Sequence, residues 1–245
     1  MPTPTTGFHP GNPSWRNWVG NQSCVPARIV AAVNEHDVIE AVREARRSGL
    51  RLRTPGTGHS FTGIACTDGM LLDSRGMSGV TAIDAKALVA TARPSTTIAE
   101  FGAPLWEAGL ALENQGDIDT QTIAGAVATS THGSGAALGS FSSVLTACRL
   151  VDGDGAVREL SLETTPDAMA AAQCSIGMLG VMTELTICVA RAYNIHEQIV
   201  FMPIEELRER WNHLLAEYRH FSFFWMPTLS ASRAETPSQA RTSGA

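Results

Sequence analysis

Apolar and polar positions along this chain repeat with two periods, about 2 and about 3.6 residues, and the points where one gives way to the other mark its elements. Residues 27–33 are a short β-branched run that reads as a strand. Asn34 then opens a helix in which Val38, Ala41, Val42 and Ala45 fall on one face until Gly49 stops it. Residues 50–53 form the next strand, so the chain starts β-α-β. Residues 70–73, 80–83 and 87–92 read as further strands between Gly and Asp turns. A helix is predicted over 97–111, with Ile98, Phe101, Leu105 and Leu110 on one face and Pro104 in or near its first turn. Residues 125–130 are a run of small side chains with no element assigned. The segments 144–151 and 156–160 alternate around Asp152-Gly153-Asp154-Gly155, residues that tolerate the positive φ of a tight hairpin. Thr165 and Pro166 begin a helix that runs to 174, and 181–190 return as a strand. After an apolar stretch at 199–202, residues 204–218 carry a helical stripe of Ile204, Leu207, Trp211, Leu214, Leu215 and Tyr218, and 221–225 read as one more strand.

Both ends depart from this regularity. Residues 1–14 are rich in Pro, Thr and Gly and read as a flexible arm, whereas 228–245 turn to Ser, Ala, Thr and Arg without an aromatic side chain and are expected to be disordered. Between them, 44% hydrophobic content over a chain of 245 residues suffices for a real core. The 18 basic residues are outnumbered by 24 acidic ones and form no long run, which excludes a nucleic-acid partner. Five cysteines with no CxxC pair fit neither a disulfide framework nor a zinc site, and no metal is expected. There is no secretory signal and no transmembrane segment of about 18 apolar residues, so the expected location is the cytoplasm or the membrane periphery.

Three segments carry candidate chemistry. The loop Thr54, Pro55, Gly56, Thr57, Gly58, His59, Ser60 follows a strand directly, and its two glycines let backbone N–H groups converge on an anion, although an ordinary turn would look the same. No GxGxxG opening a helix is present, so this is not the usual dinucleotide fingerprint. A second segment, 113–135, is dense in small and hydroxylated residues, with side-chain oxygens at Thr122, Thr129 and Thr131 among Gly and Ala positions where a flat ligand could lie against the backbone. The third, 175–183, is an apolar glycine loop leading into a strand.

In the order RxxGxGHSF, LENQGDIDxQxIAGAxATxTHGxG, SxGMLGVxT, these segments resemble the FAD-binding domain of vanillyl-alcohol-oxidase-type flavoenzymes, and within it the L-gulono- and D-arabinono-1,4-lactone oxidases and dehydrogenases. The resemblance runs from about residue 15 to 227. It implies an α+β fold with a two-lobed FAD-binding domain over 15–195, lobes at about 15–75 and 76–195, and the start of a C-terminal cap at 196–227. It also implies that Thr54 to Ser60 hold the pyrophosphate and that His59 stands where many members bond the flavin 8α-methyl group. Covalent and non-covalent holding both stay open. Asp117, Thr122, Gly125, Thr129, Ser130, Thr131 and His132 match positions that contact FAD, and Gly180 and Val181 match a loop at the adenine end. For these residues a turn, a helix cap or a core histidine is the plain alternative.

The implied reaction is hydride transfer from a hydroxyl-bearing carbon of a sugar lactone to flavin N5, with electrons passing on to O2, a quinone or a redox protein. Catalytic residues are expected in the cap, around a His-Trp-Gly/Ala-Lys type motif that this sequence does not contain. A frameshifted or prematurely ended gene is the expected cause, and a one-base shift after Pro227 could restore a family-like continuation. Two other readings stay open: a catalytically inactive flavin-binding remnant, and an α/β binding module without flavin.

Overall fold

The computed structural model describes residues 7–8, 14–225 and 233–241. Three two-residue strands, β1 (Gly7–Phe8), β2 (Trp15–Arg16) and β3 (Ser23–Cys24), pair antiparallel as a small ribbon. The first lobe follows as β4 (Arg28–Ala31), α1 (Glu35–Arg47), β5 (Leu52–Arg53) and β6 (Met70–Asp73), in a parallel sheet of order β4-β6-β5. Helix α1 starts where Asn34 accepts a hydrogen bond from the Asp37 amide, and it buries Val38, Ala41, Val42 and Ala45.

The second lobe contributes β7 (Val80–Asp84), β8 (Val89–Ala92), α2 (Ile98–Glu107), β9 (Leu110–Ala111), α3 (Ile123–Ala128), β10 (Leu145–Val151), β11 (Val157–Ser161), α4 (Pro166–Gln173) and β12 (Val181–Cys188). Its antiparallel sheet has the order β11-β10-β12-β8-β7. Helices α2, α3 and α4 pack on it through a core that includes Phe101, Leu105, Ile123, Leu145, Met169, Leu185 and Ile187. The β10–β11 hairpin turns where Asp152 Oδ1 accepts from the amides of Asp154 and Ala156, and Gly155 takes φ +75°.

The lobes are not independent. Val151 and Val181 of the second lobe complete the cluster formed by Val38, Ala41, Met70 and Leu72 of the first. Beside them the Glu35 carboxylate accepts from Arg149 Nη2 at 2.9 Å and from Thr183 Oγ1 at 2.7 Å. Those bonds, the Arg149 one foremost, hold its acidity below the usual carboxylate range against the opposing effect of burial.

Beyond β13 (Ala190–Arg191), which pairs with β9, the chain forms β14 (Asn194–Phe201), α5 (Ile204–Glu217) and β15 (Arg233–Arg241). Met202, Leu207, Leu214 and Phe221 make a small core of their own, with Trp211 edge-on to Phe221 at 5.7 Å. This region is tied to the second lobe by Arg219 Nη2, which donates to the Glu113 carbonyl at 3.1 Å, and by His220 Nδ1, 3.1 Å from the Ser134 carbonyl.

Several elements differ from the sequence expectation. Pro104 lies inside α2, well past its first turn; the Thr97–Glu100 capping box and the buried Ile98, Phe101 and Leu105 offset the missing amide bond. The helix ends before Leu110, which belongs to β9, because Gly109 takes φ +70°. The small-residue run includes α3, begun by Thr122 accepting from the Gly125 amide at 3.3 Å. Residues 221–225 form no named strand, and Phe221 and Phe223 pack edge-on against Trp211 of α5 instead.

Two terminal expectations also change. Residues 233–241, expected to be disordered, pair antiparallel with β14 through backbone groups, the register shifting beside Pro237, which has no N–H to donate. Gly7–Phe8, in the expected arm, likewise pair with β2. The rest of both expected terminal segments, apart from Ser14, lies outside the described residues.

Candidate functional site

An open groove runs between the two lobes. Leu52 to Ser60 form one wall, and Pro94, Ser95, Gln121, Thr122, Gly125, Thr129 and the 175–182 loop form the other. The first wall follows directly from the β5 edge, where the chain leaves the sheet at Arg53 and turns through Gly56 and Gly58. Gly58 takes φ +75°, and a methyl group there would press on Trp15 Cζ2 at 3.2 Å and Asn17 Cα at 3.3 Å. Trp18 N–H donates to the Gly58 carbonyl at 2.8 Å and Asn17 Nδ2 to the Ser60 carbonyl at 2.9 Å, so the segment after β2 clamps the loop from outside.

Opposite, Gly56 faces Thr122 so closely that an added Cβ would stand within 3.0 Å of Thr122 Oγ1. The same oxygen caps α3 and cannot turn away without releasing the Gly125 amide. At the far end, Gly180 takes φ +149°, and a methyl group there would collide with the Val151 carbonyl. Ile176 at φ +54° and Gly177 at φ +68° keep that loop in a backbone region only glycine adopts freely.

His59 and Arg53 are the ionisable side chains on this wall, and His59 is the one with an imidazole. Its Nε2 is 3.0 Å from Thr120 Oγ1, and the Trp18 ring lies 5.3 Å away, tilted by 33°. Its Nδ1 is buried without a hydrogen-bond partner. Burial pushes its pKa below the ordinary imidazole value, so the ring is neutral at neutral pH. Gln121, across the groove, also has a buried and unpartnered oxygen, Oε1. Buried polar atoms are almost always paired, and two orphans on the walls of one groove are what a polar ligand would satisfy. The donors and acceptors here suit an uncharged ring system joined to a phosphate, and the glycine cradle leaves room for backbone amides to approach it. By that test the residues fit FAD.

Of the expected site residues, the groove gathers Thr54, Pro55, Gly56, Thr57, Gly58, His59, Ser60, Thr122, Gly125, Thr129, Gly180 and Val181. Four are not in its lining. Asp117 is exposed on the loop before Thr120. Ser130, at φ +55°, donates to Ser140 Oγ at 2.9 Å, and Thr131 Oγ1 lies 3.4 Å from Thr129 Oγ1. His132 is exposed, its Nδ1 2.8 Å from the Gly133 carbonyl. Sequence reasoning passed over Pro94, Ser95, Thr120 and Gln121, and also the clamp at Asn17 and Trp18. Asn17 is a fully buried polar residue, but burial carries no local signature in sequence.

Comparisons with known proteins give the family and the fold. The FAD binding domain family matches residues 26–161. The chain is 36% identical over 216 residues to an L-gulono-1,4-lactone dehydrogenase of Mycobacterium tuberculosis, covering 88% of this chain and 50% of that one. It is 31% identical over 217 residues to a D-arabinono-1,4-lactone oxidase of Eremothecium gossypii, covering 87% and 41%. The chain thus spans half or less of the length of these relatives. Among solved structures, a cholesterol oxidase from B. sterolicum superposes with a TM-score of 0.82 at 18% identity, over 97% of this chain and 50% of that one. At that identity the likeness is one of fold.

Proposed function

The chain belongs to the FAD binding domain family, and from that premise we propose that it is the cofactor-holding part of an oxidoreductase acting on the CH–OH group of a sugar-1,4-lactone. The family match removes the reading of a binding module without flavin. A lactone of gulono or arabinono type is suggested by the names of the relatives, and a galactono-lactone is a further candidate of the same chemistry. The observation that carries the reading is the pair of orphaned buried atoms, His59 Nδ1 and Gln121 Oε1, on facing walls of the groove between the lobes.

Bound FAD supplies the redox chemistry, accepting two electrons from a carbinol carbon and passing them to O2, a quinone or a redox protein. The chain's own residues bind and orient. Thr54 to Ser60 would receive the diphosphate through backbone amides, held in place by the Asn17 and Trp18 clamp. The 175–181 loop would enclose the adenine end, and Thr122, Gly125 and Thr129 would form the opposite wall. Asp117, Ser130, Thr131 and His132 would close in on the ligand from their positions beside the groove. His59, neutral and partnerless at Nδ1, is the residue suited to anchor the flavin ring.

Mixing the purified chain with FAD tests this. Quenched flavin fluorescence and a bound spectrum with a band at about 450 nm are expected, and bleaching of that band by a gulono- or galactono-lactone under nitrogen would follow from the lactone assignment. A chain that ignores FAD refutes the whole reading. One that binds FAD but is not reduced by any lactone refutes the activity and leaves a flavin-binding remnant. No described helix is long and apolar enough to cross a membrane, and a cytoplasmic or membrane-peripheral place remains part of this proposal.

A further inference from the structure

Residues 21–28 run alongside residues 61–69, and bonds at both ends fix how the two segments align. At one end Asn21 Nδ2 donates to the Phe61 carbonyl at 3.0 Å and Gln22 Nε2 to the same oxygen at 3.3 Å, and a methyl group on Gly63 would stand 3.1 Å from Gln22 Oε1. At the other end Ala27 N–H donates to the Asp68 carbonyl at 2.8 Å and Arg28 N–H to the Gly69 carbonyl at 3.2 Å. The same alignment, carried inward from both ends, brings Cys24 of β3 beside Cys66, which follows the turn at Gly63–Ala65. Both are half-buried free thiols on extended backbone. Burial foremost, and then the adjoining Cys24 sulfur, push the Cys66 thiol up to about 11, so Cys66 keeps its proton at neutral pH. No motif announces the pair, because the two cysteines are far apart in sequence and lack the CxxC spacing.

We propose that Cys24 and Cys66 are a disulfide-forming pair, oxidised by a low-molecular-weight disulfide of the glutathione type, and that the bond fastens the clamp on the glycine loop. Because Cys66 holds its proton, the first attack falls to Cys24. The Cys24 sulfur bonds one sulfur of the small disulfide, whose own S–S bond breaks, and one small thiol leaves with the Cys24 proton. The Cys66 sulfur then bonds the Cys24 sulfur, and the second small thiol leaves with the Cys66 proton. Two protein thiols are oxidised to one disulfide, and one small disulfide is reduced to two thiols.

The place of this bond gives it its effect. Trp18, Asn17 and Asn21, which hold the carbonyls of Gly58, Ser60 and Phe61 from outside, lie just before Cys24. Strand β4, helix α1, strand β5 and the glycine loop all lie within the ring that the bond would close over residues 25–65. The disulfide would thus tie the base of the clamp to the far end of the loop it holds, and it would remove freedom from the unfolded chain over a long ring. None of this depends on the FAD reading, since the bond can form in a chain without flavin.

The test incubates the whole reduced chain with oxidised glutathione in mildly alkaline buffer, blocks the remaining thiols and digests it with trypsin without reductant. Cleavage after Arg16, Arg28, Arg53 and Arg75 leaves Cys24 in peptide 17–28 and Cys66 in peptide 54–75, and a cross-linked mass of these two is the expected product. The exposed Cys174 and Cys188 should carry glutathione instead. Oxidation should also raise the thermal midpoint by about 5 °C or more, and dithiothreitol should reverse the rise. Cys24→Ser and Cys66→Ser, treated alike, should show no rise, and a rise equal to that of wild type in either variant overturns the proposal. So does a wild type that lacks the cross-linked mass, that links 17–28 to another peptide, or that keeps glutathione on both Cys24 and Cys66. A cross-linked chain whose midpoint stays within about 1 °C of the reduced one overturns the fastening. The peptide masses and the dithiothreitol reversal in wild type decide the matter even where a serine variant fails to fold.

Discussion

Gly56→Ala is the most direct probe of the groove. Gly56 does not have a positive φ, so an alanine there is not strained by its backbone, and any cost comes from what the new methyl meets. It meets Thr122 Oγ1 within 3.0 Å, while Thr122 Cβ and Cγ2 stay at 3.6 Å, ordinary contact. Only the hydroxyl is in the way, and it is bound to the Gly125 amide as the cap of α3.

Relieving the clash by rotating Thr122 gives up a cap worth about 1 kcal/mol, and leaving it unrelieved costs an overpacking penalty of about 1–3 kcal/mol. Gly56→Ala is therefore expected to destabilise by roughly 1–2 kcal/mol. Thr122→Ala alone should lose about 1 kcal/mol for the cap, but it removes the obstructing oxygen. The double variant should then be little worse than Thr122→Ala, a coupling of about 1–2 kcal/mol. Urea unfolding of the four proteins, with unchanged m-values, measures it. Additivity to within about 0.5 kcal/mol would refute the reasoning, because it would mean that the methyl and the hydroxyl never compete for the same space.

Gly180→Ala combines φ +149° with a collision against the Val151 carbonyl, backbone that cannot rotate away; a loss of about 3 kcal/mol in urea unfolding is expected, and a loss under about 1 would count against it. Burial holds both His59 and His220 below the ordinary imidazole pKa near 6.5. The unfolded chain therefore takes up protons first, so this stability is fully present above about pH 6.5 and is lost as pH falls through the window beneath it. Urea midpoints that stay level between about pH 7 and 5 would contradict that sign. Glu35→Gln should weaken the Arg149 and Thr183 bonds that join α1 to the second sheet. A thermal midpoint lowered by about 2–4 °C is expected, corresponding to roughly 1 kcal/mol after allowing for the exposure of Arg149.

The parts of the fold that were legible in sequence are those where one element satisfies itself. Helix α1 announced its cap at Asn34 and its buried face at Val38, Ala41, Val42 and Ala45, and the β10–β11 hairpin announced its Asp-Gly turn. What was missed depends on distant partners. Helix α3 mixes three alanines that favour a helix with Gly125 and the β-branched Ile123 and Val127 that do not, and burial of Ile123, Ala126 and Val127 in the second-lobe core decides for it. Helix α2 accommodates Pro104 because its apolar face outweighs one lost amide bond. In the groove, the glycine loop and the Thr122 to Thr129 segment could be read from their motifs. The contact between Thr120 and His59 carried no such signal, since the two are 61 positions apart.

The cluster shared by the lobes has a consequence for how the chain is made. The sheet β4-β6-β5 is complete by Asp73, yet two of the side chains that close its interior, Val151 and Val181, are translated long after it. On the ribosome the N-terminal half must therefore wait, with Leu72 and the apolar face of α1 exposed, until β12 has emerged. Variants that slow synthesis or folding of the 145–188 segment should raise the demand for chaperones at the N-terminal half rather than at the site of the change.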